Sequence, residues 1–143
     1  MFISEYTYSL ESKRRLGIPV KFRKLLGKKA VITRGLEHCL FLYPAKEWSK
    51  SVAQLSKLSL YQSDARGFSR FMLAGATEVT IDSLGRILIP DYLKKYAKIT
   101  KKTIVAGINN RVEIWDEKEW KNYKEKIEKD VEAMAERLKG LES

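Results

Sequence analysis

The chain holds 143 residues, 44% of them hydrophobic and 32% charged, enough for one buried core of ordinary size. Its 28 Lys and Arg outnumber 18 Asp and Glu, and the resulting formal charge of +10 favours a polyanionic partner: nucleic acid first, an anionic membrane surface second. Cys39 is the single cysteine, which excludes an intrachain disulfide and a thiolate metal cage.

The opening MFISEYTYSLES has no basic stretch followed by an apolar one, so it is not a signal peptide, and no apolar run nears the ~20 residues of a bilayer span. A cytoplasmic protein is expected. Phe2, Ser4, Tyr6, Tyr8 and Leu10 alternate with Ile3, Glu5, Thr7 and Ser9, which predicts a first strand. A tight turn over 11–14 leads into a short strand ending at Ile18. Pro19 halts ladder pairing there and suits the first turn of a helix, which VKFRKLL supplies and Gly27 ends. KAVITRG and HCLFLYP follow as a hairpin around Arg34–Glu37. Trp48, Val52, Leu55 and Ser59 then share one helical stripe; Ala65, Phe68 and Met72 share another, with Gly75 as its C-cap.

TEVTI, the turn SLG, RILI, a helix from Pro90 to Ala97 and a hairpin of TIVAG and RVEIW around Ile108–Asn110 come next. Asp116 with Glu119 three residues on predicts a capping box. Behind it Trp120, Tyr123, Ile127, Val131, Met134 and Leu138 recur at spacings of three and four, the pattern of an amphipathic helix. Its apolar face can cover the chain's own core or meet another subunit. Gly140–Ser143 are expected to fray.

The same order of elements has been written twice. LESKRRLGIPVKF at Leu10–Phe22 returns 71 residues later as IDSLGRILIPDYL at Ile81–Leu93, with Ser12/Ser83, Arg15/Arg86, Ile18/Ile89 and Pro19/Pro90 identical. The offset grows to 73 at the last strand, where Cys39 aligns with Val112 and Phe41 with Ile114. Each half is small enough to need its sibling, or another chain, to bury its apolar face.

Asp82-Ser83-Leu84-Gly85-Arg86 makes chemical sense as a hairpin turn: the Asp carboxylate can accept from amides two residues on, and Gly accepts a left-handed backbone. The Arg stands where a strand begins, on a rigid base. Two copies of such an Asp-x-x-Gly-Arg-x-x-x-Pro element, with Asp64-Ala65-Arg66, Arg70-Phe71 and Glu113-Ile114-Trp115-Asp116, resemble the MraZ family, which is similar in fold to AbrB-type swapped-hairpin regulators. The resemblance covers nearly the whole chain. It implies an α+β fold of two tandem SpoVT-AbrB-like units forming a small pseudo-two-fold barrel, over 1–48 and 76–120, with a helical connector at 49–75 and a C-terminal helix at 121–143. It also implies a bacterial transcriptional regulator, located at the nucleoid. Such a protein binds repeated elements upstream of the division and cell-wall gene cluster, its own gene included, as a ring-shaped homo-oligomer. The family's motif arginine falls on Arg15 and Arg86.

Copy one departs from the motif, with Glu11 for Asp and Arg14 for Gly. A left-handed arginine costs on the order of 1 kcal/mol, so a turn of different shape is expected. Cations crowd this copy: Lys13, Arg14, Arg15, Lys21, Arg23, Lys24, Lys28 and Lys29 occur with no acid between 12 and 29. Copy two is more dilute, its Arg86, Lys94, Lys95, Lys98, Lys101 and Lys102 interrupted by Asp91. Copy one should therefore dominate contact with double-stranded DNA. Arg15 is the candidate for reading base edges, and Lys13 and Arg14 for positioning phosphates; Lys21, Arg23 and Arg86 complete the expected set.

Other readings start from the same residues. An RNA-binding or ribosome-associated protein would share the charge but need exposed aromatics to stack bases. A scaffold or antitoxin-like partner binder would use the assembly itself. His38 and Cys39 are neighbours, and in a strand they would face opposite ways, which excludes a shared site. Asp64, Asp82 and Asp91 lack paired-carboxylate spacing for Mg²⁺, and the chain has no Gly-rich phosphate loop. Neither an enzyme nor a cofactor or metal is expected.

Overall fold

The structure is a computed structural model and describes residues 1–141. The first copy supplies β1 (Glu5–Ser9), β2 (Arg15–Gly17), α1 (Val20–Leu26), β3 (Lys29–Arg34) and β4 (Leu40–Pro44). Two helices follow, α2 (Ala45–Leu55) and α3 (Ser63–Ala74). The second copy repeats the set as β5 (Thr77–Thr80), β6 (Arg86–Leu88), α4 (Asp91–Tyr96), β7 (Lys102–Ile108) and β8 (Arg111–Asp116), and α5 (Glu117–Leu138) closes the chain.

Six strands form one antiparallel sheet in the order β1-β7-β8-β4-β3-β5, and β2 pairs with β6 in a separate ribbon. Exchanging each strand for its repeat equivalent reverses the six-strand order without changing it. The first strand of each copy has left its own unit: Tyr6 lies opposite Val105, and Ala30 opposite Val79. At the centre the last strands of the two copies meet, Leu40 against Ile114 and Leu42 against Val112. The protein is thus an α+β fold of two tandem swapped-hairpin units, and the exchange takes place within one chain.

Burial explains why the exchange holds. Leu16, Ile18, Ile32, Leu40, Leu42, Ile87, Ile89, Leu93, Val112 and Ile114 are all at most 1% exposed and come from both copies. Phe22, on α1, meets Phe2 and Tyr6 edge-on with ring centroids 5.5 and 5.6 Å apart. Neither copy could bury these side chains alone. The two motif prolines begin the short helices as expected, each accepting the first helical amides from Phe22 and Arg23 or from Leu93 and Lys94. Gly27 ends α1 with φ 79°.

Several expectations need correction. β1 is shorter than the alternation suggested, because Ser4 has φ 79° and interrupts the strand. Phe2 rejoins the sheet beside Asn109, and its backbone with that of Ile3 lies so close over Gly107 that a Cβ there would collide with main chain. The first hairpin turns over 35–39, later than the sequence indicated, with Glu37 and His38 left-handed. His38 and Cys39 therefore lie in that turn, and strand alternation is not what separates them. They still diverge: the His38 ring tilts against Tyr96 with centroids 5.1 Å apart, while Cys39 is wholly buried. Ser59 lies beyond the end of α2, and on α3 Met72 is buried while Phe68 is 39% exposed.

The last helix is capped as its sequence indicated, since Asp116 accepts from the amides of Lys118 and Glu119. The Glu119 carboxylate does not close the box; it pairs with Lys98 at 3.9 Å. The stripe divides between its two possible roles. Trp120 and Tyr123 pack on Trp115 with ring centroids 5.2 and 5.0 Å away, whereas Val131 and Leu138 are 47% and 58% exposed because the helix outruns the core beneath it. Lys139–Leu141 form a 3-10 turn, and the remaining two positions of the expected frayed end lie outside the described residues.

Leu16 tests the interlock. Leu16→Ala should lower the unfolding free energy by about 2–5 kcal/mol, the cost of a cavity at a fully buried leucine, as measured by urea denaturation.

Candidate nucleic-acid interface

The ribbon of β2 and β6 brings the two repeat motifs together. Arg15 stands opposite Leu88, Leu16 opposite Ile87 and Gly17 opposite Arg86. Strand alternation sends Leu16 and Ile87 into the core and leaves Arg15 and Arg86 on the other, outer face, diagonal neighbours across two strands. Gly17 matters here because the ring of Tyr8 lies where its Cβ would be, 2.9 Å away.

The two turns end on each other's strands. The Ile89 amide donates to the Arg14 carbonyl, and the Ile18 amide donates to the Gly85 carbonyl, both at 2.9 Å. In copy two the Asp82 carboxylate holds its own turn, its Oδ1 accepting from the Leu84 and Arg86 amides at 2.9 Å. Gly85 is left-handed at φ 76°, and the Arg23 guanidinium occupies the space its missing side chain leaves.

Copy one solves the turn differently. Arg14 does adopt the left-handed conformation, at φ 59°, and Lys13 adopts it as well, at φ 61°. The expected avoidance of that conformation by Arg14 is therefore corrected, although the turn's shape does differ from that of copy two. What compensates the strain is tertiary: the Arg14 Nε donates to the Ile89 carbonyl at 2.9 Å, alongside the backbone bond between the same residues. Arg23 makes a similar bond from Nε to the Ile18 carbonyl, at 2.9 Å.

The motif arginines do not stand alone as cations. Arg86 donates from one terminal nitrogen to Glu11 at 3.1 Å and from Nε to Asp82 at 3.3 Å. Arg15 approaches Asp82 at 3.7 Å. Two positive and two negative groups from both copies thus form one chain, Glu11–Arg86–Asp82–Arg15, with no net charge. Bonds from the Arg86 and Leu84 amides, together with the Arg86 charge, hold the Asp82 carboxyl below its ordinary value of 3.8. Glu11 and Asp82 were visible as the aligned acids opening both motifs, but their crossing onto the arginines was not.

The surrounding cations differ in this respect. Among the ion pairs of the described residues, Lys13, Arg14, Lys21, Arg23, Lys24 and Lys28 do not appear, whereas Lys29 pairs with Glu78. Lys13, at the tip of its turn, and Lys21, at the start of α1, are exposed; Arg14 and Arg23 are half-buried. In copy two Lys95 is held by Asp91 at 3.1 Å and Lys98 by Glu119. Asp64 on α3, Asp82 in the turn between β5 and β6 and Asp91 on α4 stand apart and, among the described residues, gather into no metal-holding group. Burial pushes the Cys39 thiol well above its ordinary range, which leaves it a poor nucleophile.

A ribbon made from one strand of each repeat, flanked by exchanged β strands, defines a duplicated swapped-hairpin protein. The family model described as "MraZ protein, putative antitoxin-like" matches residues 1–71 and again residues 72–141. The chain belongs to the MraZ family. It is 43% identical over 141 residues to the transcriptional regulator MraZ of Desulforamulus reducens, covering 99% of each chain. Identity is 46% over 138 residues with that of Natranaerobius thermophilus, covering 96% of each, and 45% over 141 residues with that of Halothermothrix orenii, covering 99% of each.

Because the folded Asp82 carboxyl titrates below its ordinary value, the unfolded chain takes up that proton first. Its stabilising contribution is complete above the ordinary aspartate range and is lost as pH falls through the lowered folded value. Thermal melts at pH 6 and at about pH 3 should show a fall in Tm that Asp82→Asn makes smaller.

Proposed function

We propose that the chain is a sequence-specific DNA-binding transcriptional regulator acting on promoter DNA upstream of its own gene and of a division and cell-wall gene cluster. The observation that carries this reading is a group of cations beside the ribbon: Lys13 and Arg14 on the first turn, which Arg14 fastens to Ile89 of the second repeat, Arg15 on the outer face of β2, and Lys21 and Arg23 on α1, with Arg23 seated against Gly85 of the second turn. A stiff turn presents charge at low entropic cost. Phosphate neutralisation by Lys13, Arg14 and Lys21 supplies affinity that falls with salt, and Arg15 reads a guanine edge. The relatives' name, transcriptional regulator, supports the same reading. No helix among the described residues is long and apolar enough to cross a membrane.

The protein works as a ring of identical subunits. Two unlike apolar surfaces support this: the outer half of α5, with Val131 and Leu138 exposed, and the α2–α3 region, where Leu58, Leu60 and Tyr61 are 45%, 72% and 91% exposed. Contacts between unlike patches are head-to-tail, and they close into rings when the rotation allows. A ring then places several turns against repeated DNA elements, and avidity does the rest.

In a gel-shift titration with the duplex upstream of the gene, the wild-type protein should bind more tightly than to a scrambled duplex, and an RNA competitor should not displace it. Arg15→Ala should weaken specific binding about tenfold or more, the scale of one lost base contact. Equal affinity for the scrambled duplex would remove the sequence-specific part. Light scattering at micromolar protein should give a closed oligomer, and a monomer would overturn the ring.

A further inference from the structure

The two motif arginines are equivalent in the repeat but not in their surroundings. Arg86 is shared by two carboxylates, Glu11 at 3.1 Å and Asp82 at 3.3 Å. Arg15 has the single 3.7 Å approach to Asp82, an acid already accepting from two amides and from Arg86 Nε. The Arg15 side chain is 39% exposed and that of Arg86 is 27% exposed.

The origin of this asymmetry is the departure of copy one from the motif. Asp82 is short and folds back on its own turn's amides. Glu11 makes no cap bond to the Ser12–Arg14 turn, and its longer side chain crosses to the other copy. Arg14, in the glycine position, likewise reaches outward to Ile89 and holds the turn that Glu11 does not. Glu11 thus exchanges bonds inside its turn for one between repeats, and Arg14 adds another.

We propose that Glu11 is a positioning residue that withholds Arg86 from DNA, so that the first-copy turn alone, with Arg15, Lys13 and Arg14, is the face offered to the duplex. The proposal rests on the DNA-binding reading above. It gives each protomer one docking turn and one structural turn, despite two copies of the motif.

The experiment uses the full chain and the labelled duplex upstream of the gene, with affinity measured across a salt series. Glu11 is half exposed, so Glu11→Gln keeps its shape and removes only the charge; circular dichroism checks the fold. Glu11→Gln should bind more tightly, with a slope of log affinity against log salt steeper by about 0.9, the increment for one more phosphate contact. Arg86→Gln should show neither the gain in affinity nor the steeper slope, and Glu11→Gln in that background should add nothing. A wild-type slope in Glu11→Gln would overturn the proposal. So would the same gain in the Arg86→Gln background, because it would show simple repulsion between Glu11 and phosphate. If wild type binds no duplex at all, both the proposal and the DNA reading fall; if wild type binds and only the Glu11 effect is missing, the reading stands and the assignment of Glu11 falls.

Discussion

The structure depends on the antiparallel pairing of two three-residue strands, one from each repeat. Leu16 and Ile87 meet beneath that ribbon with no exposure, and the turns preceding each strand are fastened to the end of the other. A ribbon this short is not stable in isolation. Here it is held from below by a core that both copies fill and from the sides by β1 and β5, which have crossed to the opposite repeat. The exchange removes the choice between folding alone and folding together, because neither repeat owns a complete sheet.

Fastening the ribbon from both copies has an electrostatic consequence. Two arginines at equivalent places in an antiparallel pair must emerge on the same face, near one another. Glu11 and Asp82 answer that crowding with the opposite charge, and the result is a neutral cluster in the middle of a strongly basic molecule. Exposed ion pairs of this kind contribute little to stability singly. Their effect is to fix guanidinium directions and to decide which cations remain without a carboxylate. Among them Lys13, on the first-copy turn, and Lys21, at the start of α1, are open to solvent, while Arg23 reaches the second-copy turn at Gly85.

The helices outside the sheet play a different part. α2 packs only partly, through Trp48 on Tyr43, and the apolar Leu58, Leu60 and Tyr61 after it, like Val131 and Leu138 on the outer half of α5, are exposed beyond the core. Soluble monomers rarely leave such surface contiguous and uncovered. The same chain therefore presents a basic, rigid turn and separate apolar surfaces, which is the division of labour the proposed ring requires.

Much of this was legible in the amino-acid order. The 71-residue echo, the prolines opening α1 and α4, the Asp116 cap and the period of each strand all follow from local rules, since turns, caps and alternation depend on neighbours in sequence. The bulge at Ser4 was not legible, because it arises from Ile3 passing over Gly107 on a strand a hundred residues away. Nor was the left-handed Arg14, whose strain is offset by a carbonyl in the other repeat. By itself, then, the sequence determined the duplicated unit, its cationic first turn and its membership by motif in a known family. Only the tertiary structure decided that the repeats exchange strands within one chain and that their arginines share two carboxylates. Both depend on contacts between distant parts of the chain, such as Ala30 with Val79, Tyr6 with Val105 and Arg15 with Asp82, at separations where local chemistry carries no information about direction.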